Sequence, residues 1–67
     1  MQERNWENLP AVMDLQETAR FLGVGYRTVL RLAHRQGFPA LRLGKKFLVN
    51  RDLLRVWLER EMGKQGR

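Results

Sequence analysis

Arg27 and Arg31 stand one helical turn apart in a segment whose apolar residues, Val29, Leu32 and Ala33, recur at helical spacing. A helix through them presents two guanidinium forks on one side. Such a fork grips a phosphate, or the O6 and N7 edge of guanine, through two parallel hydrogen bonds. Roughly half to two-thirds of protein contacts to duplex DNA go to phosphate and sugar, so each arginine either positions or specifies. Thr28, His34 and Arg35 share that outer side. Tyr26 opens the segment, where its hydroxyl either reaches a phosphate or is partly buried. Further along, Lys45 and Lys46 are adjacent at a turn; compact ammonium groups there clamp phosphates, or simply keep the surface soluble.

Catalysis finds little material. The chain has no Ser and no Cys, so its hydroxyls are those of Thr18, Thr28 and Tyr26, and His34 is its one imidazole. Thr18 falls on the inner side of the first helix, the remaining groups have no partner acid nearby in sequence to form a nucleophile–base pair, and a lone His without Cys makes no zinc site. The reading is a binding protein with no cofactor and no metal, not an enzyme. His34 is expected to face solvent or a phosphate.

Charge agrees. The 67 residues carry a net charge of +6, and its distribution is uneven. Residues 1–26 hold two basic residues against four acids, and residues 52–67 hold four against three. Between them, residues 27–51 hold Arg27, Arg31, Arg35, Arg42, Lys45, Lys46 and Arg51 with no acid. A one-sign stretch interleaved with Leu, Val and Phe folds into a cationic face, and such faces bind polyanions by displacing condensed counterions. A chain this short makes one domain with one small core and no room for a deep substrate pocket. The absence of Cys and of a basic-then-apolar leader predicts a cytoplasmic protein, and no apolar run is long enough to span a membrane.

Four elements must position these groups. Asp14 and Glu17 have capping-box spacing ahead of the stripe Leu15, Ala19, Leu22, which predicts a first helix closed by Gly23. Helical period resumes over 26–36, with Gly37 as stop and Pro39 forbidding continuation. From Ala40 the period becomes two, predicting a β-hairpin over 40–49. A two-residue turn sets Leu43 opposite Lys46; a three-residue connection sets Leu43 opposite Phe47 and Leu41 opposite Val49. The second is preferred because it gathers the apolar side chains on one face. Asn50 then caps a third helix over 51–62, with Leu54, Trp57 and Leu58 buried and Leu53 and Val56 alongside. Residues 1–12 form a lead-in whose Trp6, Leu9 and Val12 either pack on the core or fray, and 63–67 form a flexible tail. The fold class is mainly α with a small β-hairpin, in the order helix, helix, β-hairpin, helix.

Ala19, Gly23, Val29 and Leu32 have the spacing of a helix-turn-helix: a small residue under the crossing, a glycine at the turn, and two apolar residues seating the second helix. Together with Asp14 to Val24, Arg27-Thr28-Val29-Leu30-Arg31-Leu32, Phe38 to Phe47 and Leu54-x2-Trp57-Leu58, this resembles the excisionase-type DNA-binding domains. These are MerR-like winged helix-turn-helix modules of phage, conjugative elements and bacterial regulators. The resemblance covers 13–58. It implies a recognition helix in the DNA major groove with contacts from Arg27, Thr28 and Arg31, and a wing contacting the flanking groove with Arg42, Lys45 and Lys46. It also implies a recombinase partner steered toward excision, and head-to-tail contacts between copies on adjacent sites. Gly25 stands where such domains often cap with Ser, Asn50 where Pro is frequent, and Leu30 at an outward position often polar or aromatic. Leu30 either touches a thymine methyl or packs against its neighbours. The rivals are a small transcriptional regulator with the same DNA chemistry and an adaptor for an acidic protein. With only about nine residues after Leu58, neither a dimerisation helix nor an effector domain is expected, which argues against a small-molecule sensor.

Overall fold

The computed structural model describes residues 6–65, and the end of the tail, 66–67, lies outside them together with 1–5. A single 3-10 turn, Trp6–Asn8, leads into strand β1 (Val12–Asp14) and helix α1 (Leu15–Leu22). Helix α2 (Tyr26–Ala33) follows, then strands β2 (Ala40–Leu43) and β3 (Lys46–Asn50), and helix α3 (Arg51–Gln65). Three helices and a β-hairpin wing make the winged helix-turn-helix expected.

The start of α1 forms as its sequence dictates. Asp14 accepts from the Glu17 backbone N–H at 2.8 Å, while Glu17 accepts from the Asp14 N–H at 3.0 Å. Two amides that a helix start leaves without partners are thereby satisfied. Thr18, buried on the inner side, donates its hydroxyl to the Asp14 carbonyl at 2.8 Å. Gly23 ends the helix at φ 75, a left-handed conformation in which its N–H and that of Val24 both donate to the Ala19 carbonyl. Asn50 caps α3, its side-chain oxygen accepting from the Leu53 N–H at 2.9 Å.

Of the lead-in residues, Trp6 and Leu9 pack on the core, while Val12 stays exposed on β1. Trp6 meets Phe21 edge to face at 4.7 Å, and the Arg51 guanidinium donates to the Leu9 carbonyl at 3.0 Å. Val12–Asp14 adds a third strand that sequence reading did not foresee. The antiparallel sheet runs β1-β3-β2, with Met13 opposite Val49. Those two residues, with Leu15, Ala19, Val29, Phe38 and Leu54, form the core.

Three local expectations are corrected. The hairpin uses a two-residue Gly44-Lys45 turn: Leu43 pairs with Lys46, Arg42 with Phe47, Leu41 with Leu48 and Ala40 with Val49. Gly44 takes φ 62, the positive value that the tight turns of twisted hairpins require. The side-chain period of two then turns Leu41 and Leu43 outward, both more than half exposed, and Met13 from β1 supplies the apolar bulk expected of them. Second, α2 stops at Ala33, three residues short of Gln36. The N–H groups of Arg35 and Phe38 reach back only three residues, to Leu32 and Arg35. This tighter winding carries Phe38 under the helix into the core, where it meets Trp57 edge to face at 4.9 Å. Third, α3 continues past Met62 to Gln65. On that helix Leu54 is fully buried, Trp57 and Leu58 are half-buried, and Leu53 and Val56 are exposed.

Candidate nucleic-acid interface

At 3.6 residues per turn, successive side chains of α2 are about 100° apart. With Val29 buried and Ala33 packed against the core, Arg27 and Arg31 project on the opposite, exposed side. Tyr26 and Leu30 lie on the flank toward the wing. Thr28 and Leu32 lie on the flank toward α3.

Between the first flank and the wing runs an open cleft of about 260 Å³. Tyr26 and Leu30 form one wall, Lys45, Lys46 and Phe47 the other, and Asp14, Leu15 and Gln16 from the start of α1 close one end. Tyr26 is about half exposed, and Leu30 is half-buried while packing on the core. Sequence reading did not single out Gln16. It is an exposed amide with no hydrogen-bond partner among the described residues, and its link to the wing exists only in three dimensions. Asp14 sets an acid at the same end, its carboxylate bonded to the α1 amide of Glu17.

The seven cations of 27–51 divide by what holds them. Arg51 is tied to Asp52 at 3.1 Å and to the Leu9 carbonyl, at the far edge of the sheet. Arg42 braces the wing: its Nε donates to the Gly44 carbonyl at 3.1 Å and its guanidinium lies over the Phe47 ring at 5.8 Å. Arg35, expected on the recognition helix, sits in the turn beyond it, beside Trp57 and Arg60. The helix stops before it, so the stripe Arg27, Arg31, Arg35 is broken after its second member. Arg27, Arg31, Lys45 and Lys46 remain, exposed and without an ion-pair partner among the described residues, around α2 and the wing tip. His34 is exposed and meets Phe47 edge to face at 5.3 Å, beneath the wing.

Two helices crossing at a three-residue turn over Ala19, the second carrying its outer cations clear of the core, have the geometry of a helix-turn-helix. The model of the helix-turn-helix domain family matches residues 12–62. The chain belongs to that family. The matched span begins at β1 and runs through α2, the wing and most of α3, so this helix-turn-helix is a DNA-binding domain whose strand β1 is integral to it. No curated protein and no solved structure matches the chain. Among the described residues the helix-turn-helix holds no cluster of His, Asp or Glu able to bind a metal, and no helix long and apolar enough to cross a membrane.

Proposed function

We propose that this helix-turn-helix is a sequence-specific DNA-binding protein of excisionase type, in which α2 enters the major groove and the wing holds the flanking backbone. The observation that carries the reading is the set Arg27, Arg31, Lys45 and Lys46, exposed and without acid partners among the described residues, the first two on the outer side of α2 and the last two lining the cleft beside it. Arg27 and Arg31 face base edges and phosphates, with Thr28 beside them on the α3 flank. Lys45, Lys46 and the Tyr26 hydroxyl hold a phosphate strand along the cleft. Arg42 keeps the wing tip in place rather than reaching far from it. Arg35, off the helix, is left out of this set.

The role is binding and bending of DNA in the cytoplasm, without chemistry on it, so that a recombinase acts in the direction of excision. Copies on adjacent sites meet head to tail; the outward apolar residues Leu41 and Leu43 of the wing supply a surface for that contact. A transcriptional regulator would use the same contacts on a promoter. Selection of bound duplexes from random sequence tests the reading: a short motif recovered as closely spaced direct repeats supports it. A single isolated site, or a palindrome demanding a twofold dimer, opposes it.

A further inference from the structure

A second groove lies on the other flank of α2. Leu32 is two residues past Leu30, about 200° around the helix, so this groove faces away from the cleft between α2 and the wing. Its floor is Leu32, Trp57 and Leu58, its outer lip is Met62, and it is an open groove of about 310 Å³ that shares Leu32 and Trp57 with a smaller hollow beside Phe38. Trp57 is half-buried and packs edge to face on Phe38, which holds it at the floor. Arg35 and Glu61 line both the groove and the hollow, and Arg60 and Lys64 line the hollow. Among the described residues Arg35 and Arg60 have no ion pair, and the acid at the rim, Glu61, is bound by Lys64 at 3.5 Å.

We propose that this groove docks an acidic amphipathic segment of a protein partner, its apolar side chains on Leu32, Trp57 and Met62 and its carboxylates on Arg35 and Arg60. Charge selects the occupant: an apolar floor with an uncompensated basic rim complements apolar residues interspersed with Asp and Glu. The apolar floor and the carboxylate of Glu61 disfavour a phosphate backbone there. The early end of α2 is what frees Arg35 for this rim. The groove is distinct from the DNA-facing cleft, with which it shares no lining residue, so partner and duplex are held at once.

The full chain, ¹⁵N-labelled, tests this by titration with a synthetic helical peptide carrying Leu at i, i+4 and i+7 and Glu elsewhere. A copy of the peptide with Lys for Glu serves as control. The acidic peptide is expected to move the Trp57 indole N–H signal and leave that of Trp6 in place. The lysine copy should not bind. Arg60→Gln together with Met62→Gln, both exposed positions, should weaken the peptide at least tenfold while duplex DNA affinity stays within twofold. An unmoved Trp57 signal overturns the proposal, as does equal binding of the lysine copy. Displacement of the peptide by duplex DNA would assign the groove to the DNA face instead and also overturns it. The Lys46 and Tyr26 amides, followed in the same samples with duplex added, report DNA binding independently, so failure of one reading is separable from failure of the other.

Discussion

Tyr26, the first residue of α2, and Lys46, the first of β3, line the same cleft although twenty residues separate them in sequence. The wing folds back far enough to set an ammonium group and a phenol along one channel. If a phosphate strand occupies it, the hydroxyl contributes one hydrogen bond, about 1 kcal/mol or roughly fivefold in affinity. Tyr26→Phe is therefore expected to weaken duplex binding about fivefold and equally for all sequences. A loss confined to the selected sequence would make Tyr26 a reader of bases.

Arg31 projects from the middle of the exposed side of α2, opposite buried Val29. Arg31→Ala should lower binding to a selected site by about 1–3 kcal/mol more than binding to unrelated duplex. Equal losses on both duplexes would reduce Arg31 to a phosphate contact.

Gly44 turns the wing at φ 62, and a Cβ built there meets nothing within 4 Å. The cost of Gly44→Ala is thus backbone strain alone, about 1 kcal/mol in denaturant unfolding. Because Lys45 and Lys46 sit at this turn, DNA affinity should fall with stability. An unchanged unfolding midpoint would contradict the two-residue turn.

Asp14 holds the start of α1 through its side chain and also gives its carbonyl to buried Thr18. Asp14→Ala removes only the side-chain cap, so stability should drop by about 1 kcal/mol, within the range of about 0.5–2 for lost caps. Removing this acid from the end of the cleft should at the same time strengthen DNA binding at low salt. Urea unfolding and a duplex titration on the same variant separate the two effects.

Local chemistry made much of this fold legible. The capping box of Asp14 and Glu17, the stop at Gly23, the cap at Asn50 and the seating of Val29 are short-range relationships, and each stands where the residues imply. Features set by tertiary packing were not legible. Met13 takes the place facing Val49, so the wing had no need to turn Leu41 and Leu43 inward. Phe38 had to pass beneath α2 to reach Trp57, which ended the helix before Arg35. At the candidate site, the exposed placement of Arg27 and Arg31 on α2 and of Lys45 and Lys46 at the wing tip was readable from charge and period. Gln16 was not, because its nearness to Lys45 and Lys46 comes from the fold alone, and the bracing of Arg42 on Phe47 depends on a hairpin register that the apolar pattern misjudged.

The central claim is that α2 and the wing jointly neutralise duplex phosphates, and salt titration of duplex binding tests it most directly. Wild-type affinity should fall linearly on a logarithmic plot against salt, with a slope of about one per phosphate contact. Lys45→Ala with Lys46→Ala should flatten that slope by about two while the fold is retained. No duplex binding at low salt, or a slope that the two substitutions leave unchanged, would contradict the account.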